Sequence, residues 1–329
     1  MAITVLSPLP ATAERLDVVR TWRIDDLIDV LGRDKEVVEA ALATLDYNSD
    51  LRAQLFVPPA LGDVPAPFVG RHRTYVCVNQ KGGAGKTTTA LELAAAWVAM
   101  GYTVRVIDAD PQDASLSGEW MLPSFDGIAE HERYSLTDVL FGRQPLDEAT
   151  YETTVQNLYV VPSGPHLSTV EYDPKAGRDG SLRVAIRKSK APVDITVIDA
   201  PPSLGKLSIN GLVAADRVIV PLKVGALDRK ALNDLRETIR TVQDDANPAL
   251  VVDAAVMTSW DKSNYAGLVG ASLRRDFPEA IIAPARRNVQ VAAAADYGLP
   301  VRALDAKATT SSDYDQLARL LLPVKGTAA

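Results

Sequence analysis

Residues 75–91 read Tyr75-Val76-Cys77-Val78-Asn79-Gln80-Lys81-Gly82-Gly83-Ala84-Gly85-Lys86-Thr87-Thr88-Thr89-Ala90-Leu91. An apolar run with strand composition stops at Asn79. A glycine-rich turn follows, and then an alanine- and leucine-rich stretch of helical composition begins at Lys86. Glycines let a backbone fold inward so that successive N–H groups point at one spot. The first turn of the following helix adds its own unpaired N–H groups and its positive dipole end. That combination predicts a phosphate-binding loop built from Lys81, Gly82, Gly83, Ala84, Gly85, Lys86, Thr87 and Thr88. Lys86 would reach the β- and γ-phosphates and the Thr87 hydroxyl would ligate Mg²⁺. The common pattern G-x-x-x-x-G-K-[ST] is not met, because Gln80 stands where its first glycine belongs; the string fits the deviant form K-G-G-x-G-K-[ST].

Outward from this loop, strand-like and helix-like stretches alternate. Strands are predicted at 73–79, 103–108, around LYVVPSG (158–164), DITVIDAPP (194–202), RVIVPL (217–222) and LVVDAAVMT (250–258). Helices are predicted at 86–100, stopped by Gly101, and at 205–214, 228–244, 264–276 and 311–321. Apolar strands separated by helices imply an α/β fold, a doubly wound and mostly parallel sheet flanked by helices. Ligands of such sheets sit beyond the carboxyl ends of the strands. Two acidic strand ends answer that rule: Asp108-Ala109-Asp110-Pro111-Gln112, and Asp199 at the end of Ile195–Ile198. Asp194, at the start of the latter strand, reads as a solvated residue.

The segment VNQKGGAGKTTTALELA resembles the start of the ParA/MinD family of deviant-Walker P-loop ATPases. Asp108–Gln112 resembles that family's D-x-D-P-Q box, and PPSLGKLSINGLVAAD resembles its ParA branch. Looser likeness runs through RVIVPLKVG, VMTSWDKSN and ARRNVQVAAAADYGLPV, so the resemblance covers about residues 73–322. It implies an ATPase with ATP and Mg²⁺ as cofactors, weak until a partner stimulates it. Lys81, Lys86 and Asp110 would be catalytic. Lys81 would cross a homodimer to the second copy's phosphates, and Asp110 would position the attacking water. Asp199 would hold Mg²⁺ through water, with Asp108 supporting the metal side. The dimer would bind DNA without sequence preference through Arg274, Arg275, Arg286, Arg287 and Arg302, and a ParB-like centromere-binding protein would stimulate hydrolysis. The implied role is plasmid or chromosome segregation on the nucleoid. Ala293 and Ala295 depart from the family's carboxy-terminal loop, where Glu and Pro are usual.

Composition sets the remaining bounds. The chain has 329 residues, 47% hydrophobic and 23% charged, with a net charge of −7. No apolar run approaches the ~20 residues of a membrane helix, and the amino terminus lacks a signal-peptide pattern; both point to a cytoplasmic protein. The single cysteine, Cys77, reads as a buried strand residue and excludes a reductase that holds an iron–sulfur cluster with two cysteines per subunit. The ending SSDYDQLARLLLPVKGTAA is poorly basic and closed by Pro323, which disfavours a MinD-like membrane helix. A ParA-like positioner of non-DNA cargo stays as an alternative. Four prolines and two glycines within 58–70 mark residues 58–72 as a linker. It separates a small helical segment, 1–57, from an ATPase domain spanning 73–325. Within 1–57, two short amphipathic stretches flank Gly32 and fit either an operator-binding helix-turn-helix or a packing element.

Overall fold

The computed structural model describes residues 72–321, except 113–115, 118–122, 126–127, 154, 174–179, 226–227 and 297–298. The segments 1–57 and most of 58–72 therefore lie outside the described residues, as do 322–325. In chain order the elements are β1 Arg73–Cys77, α1 Lys86–Ala99, β2 Val104–Asp108, α2 Leu136–Leu140, β3 Tyr151–Glu152 and β4 Leu158–Val161. There follow α3 Ser181–Lys188, β5 Ile195–Asp199, α4 Lys206–Ala214, β6 Arg217–Lys223, α5 Arg229–Asp245 and β7 Val251–Trp260. The chain continues with α6 Asn264–Asp276, β8 Ile281–Arg286, α7 Gln290–Asp296, α8 Val301–Leu304 and α9 Thr309–Leu321.

The strands form one eight-stranded sheet in the order β3-β4-β2-β5-β1-β6-β7-β8. Every pairing is parallel except β3 with β4 at the edge. Alternate side chains feed two cores. Val76, Ile107, Ile198, Val218 and Ala255 pack with α4, α5 and α6 on one face. Tyr75, Val106, Val197, Ile219 and Val256 pack with α1 and α9 on the other. The period-2 spacing of a strand buried on both faces produces this division. Cys77 is buried, as its strand context implied.

Local chemistry fixes the element ends. Gly85 precedes α1 with φ +88, and Gly101 follows it with φ +90, both left-handed values that favour glycine. The Asp228 carboxylate accepts the Lys230 and Ala231 N–H groups at the start of α5, and the Ser263 hydroxyl accepts Ala266 N at the start of α6. Asp194 is not merely solvated: its Oδ2 accepts Thr103 N at 2.8 Å and ties the foot of β5 to that of β2.

Candidate functional site

The register of the sheet assembles the site. Cys77 lies opposite Asp199, and Asp199 lies opposite Asp108. Three adjacent strands, β1, β5 and β2, thus end at the same level. The loop 81–85 leaves from the first of them, and Asp199 and Asp108 cap the other two. All three ends open into the crevice where parallel sheets bind ligands.

Lys86 is 6% exposed and stands at the first position of α1. Burial lowers its pKa, while Asp199 and Asp110 oppose the shift by favouring the ammonium. The Thr87 hydroxyl donates to Asp199 Oδ2 at 2.7 Å. Asp199 is fully buried, and its other oxygen, Oδ1, has no hydrogen-bond partner. Burial, followed by the nearby Asp108 charge, pushes the Asp199 carboxyl up to about 8. A buried carboxylate oxygen without a donor, next to a hydroxyl, is a cation-ready arrangement: a hydrated divalent ion would satisfy both groups and restore the carboxylate.

Asp110 is 8% exposed and takes Gln112 N on Oδ1 at 3.1 Å. Burial raises its pKa, against the opposing pulls of that bond and of Lys86. Asp108 is fully buried and bonded to the loop beyond it. Its Oδ1 accepts Asp110 N, and its Oδ2 accepts both the N–H and the hydroxyl of Ser117. Those three bonds tie Asp108 to the backbone of Asp110 and to Ser117. Lys81, Gly82 and Gly83 form the exposed outer rim of the phosphate loop.

Two residues without an assigned role in the sequence reading hold that loop. Asn79 donates from Nδ2 to Pro221 O of β6 at 2.6 Å and accepts Lys81 N on Oδ1 at 3.0 Å. Thr258, on β7, donates its hydroxyl to Ala84 O at 2.8 Å. A Cβ on Gly85 would come within 2.9 Å of the Thr258 methyl carbon, so Gly85 is required by contact as well as by φ. No local pattern could link Thr258 to a loop 174 residues earlier.

The five arginines do not form one basic surface. Because α6 joins the carboxyl end of β7 to the amino end of the parallel strand β8, Arg274 and Arg275 finish at the foot of the sheet. Arg286 and Arg287 stand at the opposite end, where β8 stops. The Arg286 guanidinium grips Asp313 through Nε and Nη2, the latter at 2.7 Å, and Asp313 also accepts Arg286 N. Arg302 is ion-paired with Asp315. Arg275 contacts Ser272 and Asp276 and is largely exposed. Arg287 is exposed.

A family model described as an AAA domain matches residues 72–252. The chain is similar to the chromosome partitioning protein ParA of Caulobacter vibrioides, with 37% identity over 254 residues, which are 75% of this chain and 92% of that protein. It is 33% identical over 260 residues to the chromosome-partitioning ATPase Soj of Treponema pallidum, covering 77% of this chain and 98% of that one. Among solved structures, cobyrinic acid a,c-diamide synthase from Mycobacterium smegmatis with bound ADP and magnesium superposes with a TM-score of 0.61 at 28% identity. The match covers 75% of this chain and 93% of that chain.

Proposed function

The chain belongs to the ParA/Soj family of chromosome-partitioning ATPases, and on that premise we propose that it is a DNA-segregation ATPase whose two copies close around ATP. The observation that carries this reading is the pair of buried charges Lys86 and Asp199 under a glycine-rich loop, with the half-buried Thr87 hydroxyl on one Asp199 oxygen and the other oxygen left without a donor. The backbone N–H groups of residues 82–88 receive the phosphates, and the Lys86 ammonium neutralises the β- and γ-oxygens. Thr87 and, through water, Asp199 hold Mg²⁺. When bound, the ion neutralises charge on the β- and γ-phosphates. Asp110, its N–H bonded to Asp108, orients the attacking water; Asn79 and Thr258 keep the loop from relaxing outward.

Lys81 lies on the exposed rim, where it can reach a second copy's phosphates once two loops face each other. A cation that arrives only on pairing makes hydrolysis conditional on the dimer. The paired form would contact DNA phosphates through Arg274, Arg275 and Arg287, with salt-sensitive affinity. A ParB-like partner bound to a centromere-like site then stimulates turnover and releases the dimer, and the paired form resides on the nucleoid. A positioner of non-DNA cargo is the second reading. It is favoured by the engagement of Arg286 and Arg302 in ion pairs, which thins the basic surface.

The test is sedimentation of the full chain with ATP, with ADP and without nucleotide, for the natural protein and for Lys81→Ala. ATP should pair the natural protein only. Lys81→Ala should bind ATP with little change and stay monomeric. A natural protein that binds ATP and remains monomeric at all concentrations would sink the proposal.

A further inference from the structure

Helices α5 and α6 lie side by side over β6, β7 and β8, and the seam between them is open. One cleft of about 440 Å³ is lined by Arg229, Tyr265, Leu268, Val269, Ser272 and Arg275. A second, separate cleft of about 210 Å³ lies nearer the foot of the sheet, between Arg236, Ile239, Arg240, Asp276, Phe277 and Glu279. Leu268 is 68% exposed and Tyr265 42%, two large apolar groups one helical turn apart on the outer face of α6. Exposed apolar side chains gathered beside concave surface mark a contact face. Its rims carry more positive than negative charge, with Glu279 as an exposed acid beside the second cleft. Asp276 is taken up by Arg236 at 3.3 Å and Arg275 at 3.5 Å, while Arg229, Lys230 and Arg240 are exposed.

The same chain carries a segment of complementary chemistry. Ile24, Leu27, Ile28 and Leu31 recur at helical spacing, as do Val38, Ala41, Leu42 and Leu45. Asp25, Asp26, Asp29, Asp34, Glu36 and Glu39 are interspersed with them, against only Arg33 and Lys35. Such stretches cannot bury their apolar stripes alone, and an apolar stripe flanked by carboxylates matches an apolar seam with arginine rims. The geometry of the chain agrees. The described structure begins at His72, at the foot of β1, the edge at which α5 and α6 also end. The 26 residues 46–71 between segment and domain span up to roughly 85 Å when extended, far more than the width of two strands and a helix layer.

We propose that residues 24–45 dock along the α5–α6 seam of their own chain, apolar faces on Leu268 and Tyr265 and carboxylates towards the arginine rims. The amino-terminal segment is then a cover for this face of the ATPase domain, and its acidic character serves the docking. The inference concerns contacts within one chain, and it competes with the DNA reading at Arg275, which docking would cover.

Amide hydrogen exchange on the full-length protein tests it. Peptides across 24–45 should exchange about tenfold or more slowly in the natural chain than in Leu268→Glu or Leu27→Asp, while peptides across β1 and α1 exchange alike in all three. Leu268 is mostly exposed, so its substitution leaves the core untouched. Independently, the pair Leu27→Cys and Leu268→Cys should form a disulfide within one chain under oxidation; Cys77 is buried and stays silent. Equal exchange at 24–45 in all three proteins would leave the seam to another partner and overturn the proposal. Protection that grows with protein concentration, or a disulfide that links two chains, would assign the seam to a second copy and overturn it as well.

Discussion

Replacing Thr258 by valine tests whether the phosphate loop is held in shape from β7. Valine keeps the methyl group that packs on Gly85 and removes only the hydroxyl that donates to Ala84 O at 2.8 Å. Both groups are buried: Thr258 is 7% exposed and Ala84 3%. A buried neutral hydrogen bond contributes about 1 kcal/mol net, and a carbonyl left without its donor costs about 1–3 kcal/mol. The loop in Thr258→Val either bears that cost or moves to find a new donor. Where the loop moves to find a new donor, the conformation that receives phosphate is disfavoured by up to about 2 kcal/mol, equivalent to a loss of up to about 30-fold in nucleotide affinity. The assay is titration with a fluorescent ATP analogue in parallel with urea unfolding, on the natural protein, Thr258→Val and Thr258→Ser. Serine restores the donor, so it should recover most of the affinity, although it lacks the methyl contact. An unchanged nucleotide affinity in Thr258→Val, or a Thr258→Ser variant as weak as the valine one, would refute the account.

Glu92, 3% exposed within α1, accepts Val301 N at 2.7 Å and has its other oxygen without a partner. Burial pushes its carboxyl up to about 7. The folded state therefore holds a proton that the unfolded chain has released, and stability should fall as pH rises from about 4.5 to about 7 and level off above. Glu92→Gln keeps the acceptor and removes the ionisation. It should flatten this dependence and gain up to about 3 kcal/mol at pH 8, read by urea unfolding across pH; parallel pH profiles for the two proteins would contradict it. Arg286 and Arg287 should separate cleanly. Arg286→Ala leaves Asp313, 4% exposed, without its guanidinium and should cost about 3 kcal/mol in unfolding free energy. Arg287→Ala should leave stability within about 0.5 kcal/mol and lower DNA affinity at matched salt, as measured by gel shift.

The course of the strands was readable because parallel strands buried on both faces are apolar throughout, and turn residues bound them. β8 escaped that reading because Ile281–Arg286 holds only two β-branched residues, followed by Ala283, Pro284 and Ala285. The strand lies at the edge of the sheet, where proline is tolerated. The short antiparallel β3 and the helix α3 were also missed, since two residues and eight carry too little periodicity.

The sequence by itself determined the phosphate loop, the two acidic strand ends and the alternation that makes a wound sheet. Each of these depends on backbone freedom and side-chain period within a dozen neighbouring residues. Only the tertiary structure decided how those parts are used. It bonds Asp108 to Asp110 N and to Ser117, draws Arg286 into an ion pair with Asp313, and ties the loop to Thr258. It also leaves an apolar seam with arginine rims open beside α6. Such pairings join residues from elements far apart in sequence. They are set by which strands lie side by side and by what burial does to an unpaired charge, and neither is written in any local pattern.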